Sequence, residues 1–303
     1  MINLLCVLDW GLGHATRSLA LAERLRAEGE IIHWASSGRA RQVLVDALPA
    51  GTLVHQLPAY NVRYPTGNMP INVALQLPRW LATIGREHRR TKALVKKLGV
   101  ERIISDSRFG CYYPEIPAVF LTHQLHPITH SRPVSWLYRK WLRRCFTEFW
   151  VPDFPDQRLS GRLSDQRGYP DVKYIGPLSR LRPVTAEAET FDTIALLSGP
   201  EPMRGRLEAR LTERLRATPG RHLLVRGVPS ARPPATMGVL TVRDYADGDF
   251  LSAHLPSAQR IICRPGYSTL MDLASLGISA ELELIPTPGQ TEQVYLANRG
   301  KTW

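Results

Sequence analysis

The sequence has no apolar run long enough to cross a lipid bilayer. A membrane-spanning helix needs about 20 consecutive, largely apolar residues, and no segment of the 303 residues approaches that length. The apolar residues 1–10 are followed directly by a polar turn and have no basic flank. We therefore expect them to form a buried first strand and not a signal peptide.

Cysteine is also scarce. The four cysteines, Cys6, Cys111, Cys145 and Cys263, are scattered and lack the spacing of a metal site. Cys6 and Cys263 lie inside apolar segments, which is typical of small core side chains. This pattern predicts a reduced, cytoplasmic protein whose cysteines hold no metal ion.

Acidic residues are too few to balance the basic ones. Asp and Glu number 27 against 39 Lys and Arg, so the formal net charge is +12. Nucleic acid is not the predicted partner, because the chain has no helix-turn-helix spacing, zinc-ligand pattern or aromatic RNA-binding motif. The charge therefore has to be explained by where the basic residues cluster.

Basic residues cluster in residues 86–97 and 132–144. The first cluster is typical of a solvated helix face. In the second, tryptophan and leucine recur at helical spacing among the cations, a combination that suits a membrane headgroup interface. We therefore expect residues 132–144 to contact the inner face of a membrane, and a helix packed in the core is the alternative.

Apolar strand-like segments alternate with helical patterns along the whole chain. This alternation is typical of βαβ units and parallel sheets. Residues 176–182, rich in Pro, Gly, Arg and Ser, and the polar residues 183–190 indicate a linker. We predict an α/β protein with two Rossmann-like, doubly wound domains, residues 1–178 and 179–303, facing a cleft. Residues 149–152 are the predicted last strand of the first domain.

A glycine turn, Gly-Leu-Gly-His at residues 11–14, joins the first strand to a helix. Glycine lets the backbone approach a ligand closely. A dinucleotide-binding turn would have a third glycine near Thr16 and an acidic residue after the second strand, where this chain has Ser-Ser-Gly-Arg at 36–39. An NADP reductase stays an alternative, since those residues suit a 2′-phosphate. His14, at a helix N-terminus, is kept neutral as a proton acceptor or else only caps the helix.

Further polar residues follow the next strands of the first half. Asp106 and Arg108 follow one strand, and His123 and Gln124 follow another. Because the carboxyl ends of parallel strands meet at one edge of an open α/β sheet, we expect these residues and the glycine turn to form one site.

The second half contains another strand–turn–helix junction, Arg-Pro-Gly-Tyr-Ser-Thr at residues 264–269. The N–H groups of a helix N-terminus and the hydroxyls of Ser268 and Thr269 suit a diphosphate. Asp272, further along this helix, suits ribose hydroxyls. Gln290, Glu292 and Gln293 follow a proline-rich turn and offer donors and acceptors to a sugar ring.

These motifs resemble a family of GT-B glycosyltransferases, that of the MurG N-acetylglucosaminyltransferase of peptidoglycan synthesis, of the glycosyltransferase family 28 type. The chain is similar to a bacterial branch of this family through WGLGHATR, SDSRFG, THQL, WVPDF, IGPLSR, SGPEP and RPGYSTLMDLASLG with PTPGQTEQ. The resemblance covers nearly the whole chain. It implies a cytoplasmic enzyme that moves a hexose or N-acetylhexosamine from a UDP-sugar to a lipid-linked or glycan acceptor of the cell envelope. It also implies inversion at the anomeric carbon, and neither a metal ion nor a cofactor.

The resemblance also assigns roles to single residues. His14 matches the histidine of the family's glycine loop, and Asp272 matches the ribose-binding acid. Together with the polar residues at the strand ends, this gives His14, Asp106 and His123 as the expected catalytic residues. The expected acceptor-binding residues are Gly11, Gly13, Arg17, Arg108 and Gln124. The expected donor-binding residues are Arg180, Ser198, Gly199, Arg264, Gly266, Tyr267, Ser268, Thr269, Asp272, Gln290, Glu292 and Gln293.

Two departures from the family qualify this expectation. Residues 198–202 replace the family's second Gly-rich loop, and the family continues with helices beyond the point where this sequence ends, so the second domain is expected to be short. A sugar-nucleotide epimerase of the same architecture and a non-catalytic nucleotide-sugar-binding protein are the alternative functions.

Overall fold

A computed structural model describes residues 1–9, 12–62, 69–128, 131–184, 189–228 and 232–300. The chain forms two compact units that divide between Leu178 and Ser179. Each unit, here called the first and the second domain, contains its own largely parallel sheet with helices between most of the successive strands. The predicted α/β class is confirmed.

The first domain is built on a parallel sheet, with seven strands in the part of the chain that the structure describes. The strands are β1 (Ile2–Val7), β2 (Ile31–Ser36), β3 (Val54–Gln56), β4 (Arg102–Asp106), β5 (Ala118–Leu121), β6 (Glu148–Val151) and β7 (Val172–Tyr174). Their order across the sheet is β3-β2-β1-β4-β5-β6-β7. The helices are α1 (Leu12–Ala27), α2 (Gly38–Ala47), α3 (Met69–Leu98) and α4 (Arg132–Cys145).

The core of the first domain lies around β1, β4 and β5. Strands buried on both faces have nearly continuous apolar sequences, and Leu4, Leu5, Ile103 and Phe120 in these strands are 0% exposed. β4 pairs with β1 on one side and with β5 on the other. Their carboxyl ends are therefore adjacent in space.

Residues 149–152 were predicted to form the last strand of the first domain, and this prediction is wrong. They form most of β6, and β7 follows it and pairs with it in parallel. β7 has only three residues, with Lys173 exposed at its centre and Asp171 at a φ of 46° just before it. Such a short edge strand has too little apolar periodicity to be recognised in a sequence.

The second domain has a six-stranded sheet within the described residues. The strands are β8 (Thr193–Leu196), β9 (His222–Val225), β10 (Ala235–Met237), β11 (Leu240–Arg243), β12 (Arg260–Cys263) and β13 (Glu281–Leu284). Their order across the sheet is β10-β11-β9-β8-β12-β13. The helices are α5 (Met203–Ala217), α6 (Gly248–His254), α7 (Tyr267–Ser275) and α8 (Thr291–Arg299). Among the strands that the structure describes, only β10 is antiparallel to its neighbour, and the sequence does not reveal it because its three residues are all exposed.

The longest helix of the described part, α3, has 30 residues and contains Pro78. It carries basic residues along its second half, and leucine side chains are exposed at residues 75, 77 and 81 of α3 and at residue 137 of α4. Over the residues that the structure covers, no helix combines the length and the apolar content needed to cross a bilayer.

Candidate functional site

The three predicted catalytic residues cluster at the carboxyl edge of the first-domain sheet. Asp106 is the last residue of β4, His123 follows β5 by two residues, and His14 lies in the first turn of α1. Hydrogen-bond contacts connect all three side chains through Asp106 and Arg17. The sheet order explains this grouping, because β1, β4 and β5 are parallel neighbours whose ends meet where such sheets bind ligands.

The His14 imidazole and the Asp106 carboxylate form a close pair. Nδ1 of His14 lies 2.9 Å from Oδ1 of Asp106, with side chains 18% and 0% exposed. Burial acts to raise the pKa of Asp106, but the neighbouring Arg17 and His14 hold it well below its usual range. Burial lowers the pKa of His14, Asp106 opposes this effect, and Arg17 adds to it. His14 is therefore neutral near pH 7 and able to accept a proton.

Two more residues of α1 hold the Asp106 carboxylate. Arg17 donates from Nε to Oδ2 at 3.1 Å and from Nη2 to Oδ1, and Ser18 donates from Oγ to Oδ2 at 3.0 Å. His14, Arg17 and Ser18 are three and four residues apart, so they lie on one face of the helix. Arg17 was predicted to contact the acceptor, but its side chain is 2% exposed. It instead orients Asp106.

His123 and Gln124 lie beside this pair. Nη1 of Arg17 is 3.3 Å from Nδ1 of His123, and Nε2 of Gln124 is 3.3 Å from Nε2 of the same ring. Gly13, in the first turn of α1, is half-buried. Gly11 lies outside the described residues. The clustered imidazoles and the amide give this edge of the sheet both hydrogen-bond acceptors and hydrogen-bond donors.

Arg108 does not belong to this cluster. Its side chain is 0% exposed, its Nε donates to Oε1 of Glu87 at 2.6 Å, and its other nitrogens donate to backbone carbonyls and a buried serine. Ser107 has a φ of 58°, so the chain turns sharply and Asp106 and Arg108 point to different places. The predicted acceptor contact of Arg108 is therefore wrong, since its hydrogen-bond donors are used in the core.

The second domain has a cavity of about 180 Å³ beyond the carboxyl ends of β8 and β9. Three predicted donor-binding residues, Ser198, Thr269 and Asp272, line it. Gly227 lies where the chain leaves β9, and a Cβ atom there would come within 2.3 Å of the Leu197 carbonyl oxygen. Only glycine allows this close approach, which shapes one wall of the cavity.

Asp272 is the charged group of this cavity. Its Oδ1 accepts a hydrogen bond from Oγ of Ser179 at 2.5 Å. Burial raises its pKa to about 6, and the Ser179 hydrogen bond and the charge of the exposed Arg180 oppose the rise. Asp272 is thus largely ionised near pH 7 and protonated below about pH 6.

The N-terminus of α7 adjoins the cavity. Gly266 is its N-cap residue and provides no side-chain hydrogen bond. Ser268 and Thr269 in the first turn are half-buried, whereas the Tyr267 ring is only 4% exposed and packs in the domain. The first-turn N–H groups and two hydroxyls form an arrangement that suits an anion. Gly199, in the loop after β8, has a φ of 104°.

Arg264 has a different role from the one predicted. It is 4% exposed, and Nη1 donates to the carbonyl oxygens of Ile285 and Pro286 at 3.0 and 2.7 Å. Nη2 donates to the carbonyl of Met203 at 3.3 Å. This placement contradicts the predicted contact of its guanidinium with a donor phosphate. Arg264 instead ties the proline-rich turn to the start of α5.

The predicted sugar-facing residues lie at the start of α8. Gln290 is its N-cap residue, and Glu292 lies in its first turn. Oε1 of Gln293 accepts a hydrogen bond from the backbone N–H of Thr287 at 2.7 Å. Gln293 therefore closes the turn before α8, and all three side chains are half-buried.

The sequence analysis missed two residues that hold the predicted carboxylates. Ser18 could have been found, because it lies four residues after His14 on a predicted helix and so shares its face. Ser179 could not, since it contacts Asp272 across 93 residues of sequence and no local pattern marks such a contact.

No protein-family model matches the chain, and no curated protein sequence matches it. Several solved structures do match. The glycosyltransferase SnogD from Streptomyces nogalater has 15% identity and a TM-score of 0.62, over 98% of this chain and 85% of that chain. UGT89C1 from Arabidopsis thaliana, complexed with UDP-L-rhamnose, has 12% identity and a TM-score of 0.63, over 97% and 82%. The spinosyn rhamnosyltransferase SpnG, complexed with thymidine diphosphate, has 14% identity and a TM-score of 0.60, over 98% and 84%.

These similarities establish the fold. Two largely parallel sheets with interleaved helices match the GT-B glycosyltransferase architecture over nearly the whole chain, so the predicted GT-B fold class is confirmed. At 12 to 15% identity the likeness is one of fold alone, and a fold hosts many functions. The placement within the MurG family therefore remains a prediction.

Proposed function

We propose that this chain is a glycosyltransferase that moves a hexose or N-acetylhexosamine from a UDP-sugar to an acceptor hydroxyl. The observation that carries the proposal is the pair of neutral His14 and ionised Asp106 at the carboxyl edge of the first-domain sheet. A buried carboxylate that orients a neutral histidine is an arrangement suited to general-base catalysis.

In the proposed reaction the acceptor hydroxyl gives its proton to Nε2 of His14. Asp106, held by Arg17 and Ser18, stabilises the imidazolium that forms. The acceptor oxygen then bonds to the anomeric carbon of the donor sugar as the bond from that carbon to the nucleotide oxygen breaks, and UDP leaves with the electron pair. A single displacement of this kind inverts the anomeric carbon.

The second domain is the proposed site of the donor. The first-turn N–H groups of α7 and the hydroxyls of Ser268 and Thr269 would bind the diphosphate, so fixed dipoles stabilise the leaving group without a metal ion. Asp272 would accept hydrogen bonds from the ribose in the adjoining cavity. Gln290, Glu292 and Arg180 would contact the rest of the donor.

Thermal unfolding with nucleotides tests this proposal. UDP at 100 times its Kd should stabilise the protein by about 2.7 kcal/mol, and UDP-sugars should do the same. The Asp272→Asn variant should lose most of this stabilisation, whereas the same substitution at the exposed Asp171 should not. Stabilisation by TDP alone would contradict the choice of UDP. Conversion of the sugar nucleotide into a different one without an acceptor would identify an epimerase. If no nucleotide sugar stabilised the protein, the proposal would be refuted.

The affinity for UDP should also depend on pH. Asp272 has a pKa of about 6, and only its ionised form accepts hydroxyl hydrogen bonds with a full negative charge at both oxygens. Near pH 5 about a tenth of the carboxylate is ionised, so the apparent affinity should be about tenfold weaker than at pH 7.5. Calorimetric titration at both pH values measures this change. An unchanged affinity, or an equal loss in Asp272→Asn, would show that Asp272 does not bind the nucleotide.

We further propose that α4 contacts an anionic membrane, which would give the enzyme a lipid-linked acceptor at the inner face of the cell envelope membrane. One face of α4 buries Leu142 and Cys145, so the helix is packed on the domain. The same helix exposes four large apolar side chains by 39 to 57%: Val134, Trp136, Leu137 and Trp141. Exposed apolar patches of this kind mark interaction sites.

Basic side chains of α4 are exposed together with these apolar side chains. Arg132, Lys140, Arg143 and Arg144 are exposed, and the ammonium group of Lys140 lies 4.8 Å from the centre of the Trp136 ring. Tryptophan rings beside cations match the mixed apolar and anionic chemistry of a headgroup layer. Four buried, free cysteines agree with a reducing compartment, and we place the protein at the cytoplasmic leaflet.

Vesicle sedimentation tests this membrane contact. The protein should bind phosphatidylglycerol vesicles, and the variant Lys140→Glu/Arg143→Glu/Arg144→Glu should bind at least about 100-fold more weakly, at about 1 kcal/mol per basic residue. The matched control Arg206→Glu/Arg210→Glu/Arg216→Glu makes the same charge change on exposed residues of α5. Equal losses in both variants would mean that only net charge matters, and equal binding to phosphatidylcholine would exclude the anionic partner.

A further inference from the structure

Arg17 lies between the two histidines of the first-domain site. Its Nη2 is 3.0 Å from Nδ1 of His14, its Nη1 is 3.3 Å from Nδ1 of His123, and its Nε is 3.1 Å from Oδ2 of Asp106. The Arg17 side chain is 2% exposed. One buried guanidinium therefore contacts both imidazoles and the carboxylate between them.

The donor and acceptor properties of these groups restrict where the ring protons lie. A guanidinium only donates hydrogen bonds, and an ionised carboxylate only accepts them. A neutral imidazole has one nitrogen that donates and one that accepts. Each ring must therefore place its single proton to suit the partner that its Nδ1 meets.

His14 meets a carboxylate. Its Nδ1 is 2.9 Å from Oδ1 of Asp106, and an unprotonated Nδ1 would set two lone pairs against each other. The proton therefore lies on Nδ1 and is donated to Asp106. Arg17 Nη2 donates to the same Oδ1. The 3.0 Å distance between Nη2 and Nδ1 of His14 is therefore not a hydrogen bond but separates two donors that share the acceptor Oδ1. The free lone pair of His14 is then on Nε2.

His123 meets a cation. Its Nδ1 faces Nη1 of Arg17, which can only donate, so Nδ1 accepts and the ring proton lies on Nε2. The side-chain amide of Gln124 lies 3.3 Å from this Nε2. Because the oxygen and nitrogen of an amide exchange places by a simple flip, the Gln124 oxygen can accept a hydrogen bond from the Nε2–H of His123. The Arg17 charge also lowers the pKa of His14 and so disfavours a second proton on that ring.

We propose that Arg17 is a positioning residue that sets the tautomer of His123, with the proton on Nε2, opposite to the tautomer that Asp106 sets on His14, with the proton on Nδ1. His14 then presents a proton acceptor, and His123 a hydrogen-bond donor, at the same edge of the sheet. The use of that donor to orient the acceptor hydroxyl rests on the proposed glycosyl transfer, whereas the tautomers themselves do not.

Nitrogen-15 NMR of the imidazole rings in the unliganded chain near pH 7.5 tests the tautomers directly, with His14→Gln and His123→Gln to assign the signals. We expect an unprotonated Nε2 in His14, and in His123 at least an about tenfold excess of the Nε2–H form, as a charge-assisted hydrogen bond provides. The same tautomer in both rings, or a proton on Nδ1 of His123, would overturn the proposal. An absence of transfer activity would refute only the proposed function.

Arg17→Gln separates positioning from a structural role. Without the cation, His123 should change from one tautomer to a mixture, while His14 keeps its proton on Nδ1 because Asp106 remains. The pKa of His14 should rise, since Arg17 lowers it in the native protein. The groups that face His14 are Asp106 from β4, Arg17 from α1 and His123 after β5.

The matched control is Arg102→Gln, which breaks a different arginine–carboxylate pair, the partly buried one with Glu30 at the amino end of the same sheet. It should lower the melting temperature without changing the tautomer of either His14 or His123. Arg17→Lys retains the charge and should preserve the Nε2–H form of His123 if it folds. If Arg17→Gln and Arg102→Gln lower stability alike and neither changes the tautomers, Arg17 is only structural and the proposal fails.

Discussion

Replacing His14 with alanine is expected to lower the rate of glycosyl transfer by about 10²- to 10⁴-fold, the usual contribution of a general base. The loss should appear in kcat, because the imidazole acts on the proton that moves in the transition state. The second domain should be unaffected, so thermal stabilisation by UDP should remain as in the native protein. Steady-state kinetics with a UDP-sugar and an acceptor measure the first effect, and thermal unfolding measures the second.

The control for this variant is His33→Gln, which changes a half-buried histidine in the middle of β2. It should retain native kcat. Asp106→Asn should lose less activity than His14→Ala, since the base remains but its orienting charge is gone. Equal loss of transfer and of UDP stabilisation in His14→Ala would contradict the assigned role, because it would indicate a general disruption of the protein.

Among the substitutions considered, removing the charge of Glu87 is expected to lower the free energy of unfolding the most. Glu87 and Arg108 are both 0% exposed, with Oε1 of Glu87 2.6 Å from Nε of Arg108. Glu87 also accepts hydrogen bonds from the Tyr60 hydroxyl at 2.6 Å and from the Gly110 N–H at 3.1 Å. Glu87→Gln would leave the Arg108 charge buried without a counter-ion, at a cost of about 3–5 kcal/mol. Urea unfolding of the full chain measures this loss.

The control is the exposed ion pair of Arg158 with Asp156, whose side chains are 43% and 58% exposed. Asp156→Asn should cost at most about 1 kcal/mol. The double variant Glu87→Met/Arg108→Met should be less destabilised than the sum of its single variants, because no lone charge is left in the core. A stable Glu87→Gln protein with weakened acceptor binding would restore Arg108 to the acceptor site and contradict the structural role.

The fold class could be read from the sequence because its signals are local and repeated. β1 and β5 are nearly continuous apolar segments, and each is followed by a turn rich in glycine or polar residues. Strands buried on both faces require such sequences. β7 and β10 have three residues each, and they are strands because a neighbouring strand offers hydrogen bonds. That information lies in the partner strand and not in the segment itself.

The sequence predicted which residues lie at the edge of the first-domain sheet, but not the direction in which each side chain points. Residues after β1, β4 and β5 had to meet at one edge of the sheet, and His14, Asp106 and His123 do. Arg108 satisfied the same rule and yet lies in the core, because Ser107 adopts a left-handed backbone conformation. A serine can adopt that conformation, but nothing in the sequence predicts that this one does.

The sequence by itself determined the alternation of strands and helices, the strand ends on which the candidate catalytic and donor residues lie, and the basic, tryptophan-rich character of α4. The tertiary structure decided which charges are paired. Arg17, Arg108 and Arg264 were alike in the sequence, but one orients Asp106, one neutralises Glu87 and one binds backbone carbonyls. A buried guanidinium must satisfy its donors with whatever acceptors the fold brings near, and those acceptors come from distant parts of the chain.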